Sequence, residues 1–367
     1  TALIHEWLVT EAGAESVLQS IRRLFPGDIF TLFHDPQALE HSEWADATVI
    51  TSFLQRLPFS KKHHRLFFPL YPLAVEQFDV REYKLLISSS YAVAKGVLNS
   101  SDQLHLCYCH TPMRYVWDLT FQYMETAGYD RGLRSLVVRM IFHYIRMWDQ
   151  LSAGRVNKFA ANSHYIAHRI WKCYNREATV IYPPVDVDHF SVSSSREDYF
   201  VTISRLVPYK RIDCIIRAFN RLGLPLVIVG DGPSRKDLQK IAGKTITFTG
   251  QVDKQERTRI LQQARAFVFS AEEDFGIVNV EAQACGLPVI AYGRGGALET
   301  VVDNKTGLFF HHQNADAIIE AIRTFVKKED SFDPAHIRKN AERFPRSRFE
   351  NEFNDWVQRS WEEFPYK

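Results

Sequence analysis

Short β-branched or aromatic runs alternate with helix-length amphipathic stretches along this chain, and that rhythm constrains its fold more than any other feature. Such runs stand at Ala2–Ile4, Asp28–Phe33, Thr48–Phe53, Lys84–Ser88, Leu104–His110 and Lys158–Ala161. They return at Tyr199–Ser204, Leu226–Gly230, Ile246–Thr249, Ala266–Ser270, Pro288–Ala291 and Leu308–Phe310. Strands joined through helices pair in parallel, so the expected class is α/β rather than a sandwich or a bundle. At 367 residues the chain is longer than one hydrophobic core organises, which predicts two domains. Pro183-Pro184 excludes both helix and central strand and marks the boundary, giving domains at 1–183 and 184–344. Phe349, Phe353, Trp356, Val357 and Trp361 fall on one helical face, which predicts that 345–367 forms a helix packing back on the first domain.

Charge narrows the function classes. The 45 Lys and Arg nearly balance the 43 Asp and Glu, which excludes a chain whose main task is gripping nucleic-acid phosphates. Residues 51–100 depart from the balance, with seven basic against three acidic side chains. There Lys61-Lys62-His63-His64-Arg65 precedes Leu66-Phe67-Phe68-Pro69-Leu70. The 56–72 segment fits either a surface resting on anionic headgroups or a solvated helix end before a buried stretch. Leu66–Val75, broken by Pro69 and Pro72, is too short to span a bilayer. Thr1–Trp7 lacks the pattern of a signal peptide, and the expected location is the cytoplasm, including peripheral contact at the inner face of its membrane. Five cysteines without a CxxC spacing predict reduced, buried thiols.

Two constellations carry candidate chemistry. Ser270 to Gly286 reads as a strand end, an acidic loop and a helix starting near Gly276 or Ile277, with Glu273 before the helix and Glu281 inside it. The amides near Phe275 and Gly276, at the helix N-terminus, suit hydroxyl or phosphate oxygens. Alone, these acids are equally ordinary dipole partners of a first helical turn. The second constellation, Thr202 to Phe219, places Arg205 at a strand end and Lys210 at the next helix start, where open α/β sheets bind ligands. A departing diphosphate needs such fixed cations, because negative charge builds on it as its bond to a sugar breaks.

Arg205 to Lys210, Ile228-Val-Gly-Asp-Gly-Pro233, Phe248-Thr-Gly250, Glu273 to Glu281 and Gly295-Gly-Ala-Leu-Glu-Thr-Val follow one another in an order that resembles retaining glycosyltransferase family 4. The resemblance implies the GT-B architecture, two facing Rossmann-like domains, the first taking the acceptor and the second the nucleotide sugar. Gly13-Ala-Glu15 looks like that family's glycine-rich loop, with Ala12 in place of one glycine. Tyr108-Cys-His110-Thr-Pro-Met-Arg114-Tyr resembles the His-x-Pro-x-Arg-Tyr segment of bacterial polysaccharide members.

By this resemblance Arg205 and Lys210 hold the donor diphosphate, and Glu281 accepts from the ribose hydroxyls. Glu273, with the segment Asp274, Phe275, Gly276 and Ile277, orients the sugar, and His110 contacts it. The backbone at Gln251 and Val252 reads the base, Gly13 meets phosphate, and Arg114 meets the acceptor. The implied donor is GDP-mannose, with other GDP- or UDP-linked sugars as alternatives, and the implied acceptor is a lipid-linked oligosaccharide or glycan. A sugar-nucleotide epimerase and an inactive binding scaffold share the design. No metal or further cofactor is expected: Asp186-Val-Asp188 follows the Pro-Pro pair instead of closing a nucleotide-domain strand. Gly243-Lys-Thr245 lacks the first glycine of a phosphate loop, and Gly293-Arg-Gly-Gly lacks the third glycine of a dinucleotide fingerprint.

Overall fold

The computed structural model describes residues 1–9, 12–36, 44, 46–58, 64–193 and 195–366. They fall into two compact units, Thr1–Pro184 with Ser347–Lys367, and Val185–Arg346.

In the first unit the strands are β1 (Ala2–Leu8), β2 (Asp28–His34), β3 (Val49–Thr51), β4 (Leu85–Ser90), β5 (Leu104–Cys109), β6 (Lys158–Ala161) and β7 (Ala178–Val180). They pair in parallel in the order β3-β2-β1-β4-β5-β6-β7. β1, β4 and β5 are buried almost throughout, as expected of parallel strands covered on both faces. The strand expected over Thr48–Phe53 stops at Thr51, because the Ser52 hydroxyl accepts from the Leu54 amide at 3.2 Å and starts a 3-10 turn at Phe53–Arg56. β7 is a three-residue edge strand whose sequence, Ala-Thr-Val, is too short to show a period.

The C-terminal helix, Arg346–Glu362, buries Phe349, Phe353, Trp356 and Val357 in a cluster with Leu3, Leu18, Ile29 and Leu106 of the first unit. The Tyr108 ring on β5 meets Phe349 edge to face at 5.6 Å.

In the second unit, β8 (Phe200–Ile203), β9 (Leu226–Val229), β10 (Ile246–Gly250), β11 (Phe267–Phe269), β12 (Val289–Tyr292) and β13 (Gly307–Phe310) form a parallel sheet in the order β10-β9-β8-β11-β12-β13. From β8 the chain adds strands on one side, then returns to β11 and adds them on the other. The order reverses between β8 and β11, and between β1 and β4 in the first unit. The helices start on chemistry visible in the sequence. Asp253 accepts from the Glu256 amide at the head of Lys254–Gln263, Asn314 does the same for Ala315–Lys328, and Gly223 ends Ile212–Leu222 at φ +67°. All five cysteines are free and buried.

Candidate active site

The second unit gathers its candidate residues where its strand order reverses. Beyond β8 the chain turns through a loop anchored by fully buried Leu206, whose amide donates to Asp231 O at 2.9 Å and whose carbonyl accepts from Ser234 N at 3.0 Å. Arg205 projects from this loop, exposed, and its side chain has no hydrogen-bond or ion-pair partner among the described residues. Lys210 closes a 3-10 turn, Pro208–Lys210, and its ammonium is in direct contact with the Glu273 carboxylate beyond β11. Ser270 at the end of β11 braces the turn, its hydroxyl lying 2.8 Å from Lys210 O and 3.0 Å from Arg211 O. Arg211 follows in left-handed backbone, φ 55°, a conformation that non-glycine residues adopt at local cost and that recurs at functional sites.

The loop 273–276 is shaped by glycines further along the chain. Glu273 bridges Gly295, and Gly296 N donates to Glu273 O at 2.8 Å. A Cβ on Gly296 would lie 2.3 Å from Phe275 Cα, and one on Gly295 2.4 Å from Glu273 O. The paired glycines therefore let two backbones touch, which explains their place in the motif series. Gly276, at φ +84°, is the N-cap of the helix Ile277–Ala284. Asn279 in its first turn is fully buried, with neither amide atom partnered among the described residues.

Glu281, two residues further on, is 8% exposed. Arg257 donates to its Oε1 at 3.0 Å, while Oε2 has no partner among the described residues. Burial pushes the Glu281 carboxyl up from its ordinary range, against the opposing charges of Arg257 and Lys254. Arg257 was not among the sequence candidates, because a lone arginine in Lys254–Gln263 carries no motif. Gln251 and Val252 follow β10, exposed and half-buried respectively. Asp186 is taken by Lys254 at 2.5 Å.

In the first unit the candidates again follow strand ends. Gly13 opens the helix Gly13–Leu24 after β1, and the Glu15 carboxylate accepts from the Ala12 amide at 2.9 Å. The other oxygen of Glu15 lies 3.3 Å from His5 Nε2. Burial lowers the His5 pKa, but the hydrogen bond and charge of Glu15, with the charge of Glu6, outweigh it and leave His5 raised.

His110, just past β5, is buried with Nε2 2.9 Å from the Ser89 hydroxyl on β4. Burial, then the charge of His5, depress its pKa to about 3. His110 is thus a neutral hydrogen-bonding group, not a cation for phosphate. Arg114 is half-buried in the following loop, which Trp117 pins through Nε1 to Asp149 at 2.7 Å and Arg146 through Nε to Val116 O at 2.7 Å.

The structure thus brings Lys210 into contact with Glu273, and sets both, with Arg205, at the ends of neighbouring β8 and β11. The acid expected on the sugar is bound to the cation expected on the diphosphate. Glu281 sits apart on its helix with Arg257. Cations, helix-end amides and a carboxylate with an oxygen to spare are the chemistry of a diphosphate and a polyol.

Two Rossmann-like parallel sheets, one in each unit, are the elements of the GT-B fold. Residues 186–344, nearly the whole of the second unit, match the family described as glycosyl transferases group 1. The GDP-mannose-dependent alpha-(1-6)-phosphatidylinositol monomannoside mannosyltransferase of Mycobacterium tuberculosis is 33% identical over 200 residues, 46% of this chain and 52% of that protein. The D-inositol 3-phosphate glycosyltransferase of Mycobacteroides abscessus is 32% identical over 225 residues, 53% of this chain and 50% of its own. The chain spans about half the length of these curated relatives. Among solved structures, the sucrose-phosphate synthase of Thermosynechococcus elongatus superposes with a TM-score of 0.77 at 19% identity, covering 98% of each chain. HepE of Anabaena in complex with UDP gives 0.71 at 18% identity, covering 98% of this chain and 99% of its own. These likenesses establish the fold.

Proposed function

We propose that this chain is a retaining glycosyltransferase that moves mannose from GDP-mannose to a lipid-linked oligosaccharide or glycan. The observation that carries the proposal is the placement of Arg205, Lys210 and Glu273 at the carboxyl ends of β8 and β11, where the sheet order reverses. The family match of the second unit and the mannosyltransferase relatives favour a sugar nucleotide, and those relatives put mannose first. Arg205 and Lys210 take the diphosphate, Glu273 holds the Lys210 ammonium in place, and Glu281 offers Oε2 to a ribose hydroxyl.

In the reaction so read, the bond from the anomeric carbon to the diphosphate oxygen breaks, and a bond to the acceptor oxygen forms on the same face. The acceptor proton passes to the leaving phosphate. Negative charge building on that phosphate is met by the two cations and by backbone amides near Phe275 and Gly276. Positioning of the acceptor hydroxyl supplies the entropic part of the acceleration. Turnover with this machinery needs no metal, and is expected to persist unchanged after chelation with EDTA.

Hydrolysis or transfer assays with GDP-mannose and with UDP-linked sugars test the proposal. Lys210→Ala and Glu273→Ala each abolish turnover, with circular dichroism unchanged. Near-normal turnover in either variant contradicts the assignment. A response confined to UDP-sugars replaces the donor, and formation of an isomeric sugar nucleotide without acceptor replaces transfer by epimerisation.

A further inference from the structure

The helix Gly132–Ser152 of the first unit is buried along one side only. Ile145, Trp148, Asp149 and Ser152 face inward, and Asp149 is paired with the buried Lys95 ammonium. The opposite side presents Leu133, Leu136, Val137, Met140, Tyr144, Met147 and Leu151, all exposed, with Leu133 at 78% and Leu151 at 75%. At 100° per residue these seven fall within an arc of about 100°. A soluble surface rarely shows so large an unbroken apolar stripe.

Neighbouring segments carry further exposed apolar residues. Phe121 is 72% exposed and takes the Arg139 guanidinium over its ring at 5.8 Å. Leu66 is 76% exposed, and the Phe68 ring two residues on meets Phe142 of the helix at 6.1 Å. That contact is made on the far side of the helix from the stripe, and Lys61, Lys62 and His63 of the membrane contact expected over 56–72 lie outside the described residues.

Charge selects what covers this face. The helix carries exposed Arg134 and Arg139 on either side of the stripe, Arg146 is held on Val116 O, and the single acid, Asp149, is buried. Glu125 and Asp130 stand before its first turn, Asp130 in an ion pair with Arg131. Two copies of such a helix would bring arginine against arginine, whereas anionic headgroups would meet each of them while the stripe enters the acyl boundary. No helix among the described residues is long and apolar enough to cross a membrane, so contact of this kind lies on the surface.

We propose that the face formed by Leu133, Val137, Met140, Tyr144, Met147 and Leu151, with its flanking arginines, docks the protein on an anionic lipid surface. This inference is independent of the chemistry assigned to the second unit.

Co-sedimentation of the full chain with vesicles tests it. Wild type is expected to sediment with vesicles of phosphatidylglycerol and phosphatidylcholine in equal parts, and not with phosphatidylcholine alone. Val137→Asp/Met140→Asp/Tyr144→Asp, three exposed positions, weakens binding at least about tenfold with circular dichroism unchanged. Arg134→Gln/Arg139→Gln weakens it too, and keeps the test decisive if the triple variant fails to fold. Absence of sedimentation with the mixed vesicles, equal binding to pure phosphatidylcholine, or wild-type binding by a folded triple variant overturns the proposal. So does a dimer in sedimentation velocity that the triple variant splits while vesicles bind neither form.

Discussion

Burial removes water from the Glu281 carboxylate, and Arg257 replaces it at one oxygen only. An acceptor left without donors costs free energy unless a ligand supplies them, and hydrogen bonds to a charged group are worth about 1.5–3 kcal/mol. Glu281→Gln is therefore expected to weaken binding of a nucleoside diphosphate roughly tenfold or more, and to shrink the preference for the ribonucleotide over its 2′-deoxy form, both read by calorimetry. Unchanged affinity and preference would remove Glu281 from the ribose.

His110 gives a pH prediction with a definite sign. Its pKa is about 3 in the folded chain against 6.5 for the free side chain, so the unfolded chain binds the extra proton. Its contribution to stability is complete above pH 6.5 and is lost as pH falls toward 3, at about 1.4 kcal/mol per pH unit per proton. His5 is raised, so its contribution is complete below pH 6.5 and is lost at higher pH. Between pH 6 and 4, urea denaturation of His110→Gln should show a slope shallower by about one proton than wild type. An unaltered slope would mean that His110 titrates normally.

Among the elements, the loop 273–276 depends on glycines more than 18 residues downstream. Gly296→Ala places a methyl group 2.3 Å from Phe275 Cα, so the loop must move. We expect a loss of about 1–3 kcal/mol in stability and a higher KM for the donor, read by unfolding and steady-state kinetics. Wild-type values for both would show that the loop is not held from this side.

The same loop shows how far the sequence was legible. Local signals ended the strand at Ser270, one residue past β11, and put the helix start near Gly276 or Ile277 and its stop at Gly286, because each rests on neighbouring residues. The contact of Lys210 with Glu273 rests on β8 and β11 lying side by side, which only the sheet order supplies. Arg257 escaped notice for the same reason, since it meets Glu281 from another helix. β7, three residues long, and the Ser52 cap that shortens β3 leave too little pattern to read. No sequence candidate fell on Gly132–Ser152, because only burial tells which side of that helix is covered.

At the scale of the whole molecule, each unit has its own core, and the first is completed by the last helix of the chain. Phe353 is fully buried against Phe25, Tyr108 and Phe349. Phe353→Ala should destabilise the first unit by about 3–5 kcal/mol. Nucleotide affinity should stay unchanged, because the donor residues other than Gly13 and His110 belong to the second unit. A fall in affinity matching the lost stability would show that nucleotide binding depends on this helix. The most direct measurement is a crystal structure of the chain with bound GDP-mannose or GDP. The account predicts the diphosphate on Arg205 and Lys210 beyond β8, with the ribose on Glu281; a nucleotide seated away from all three would contradict it.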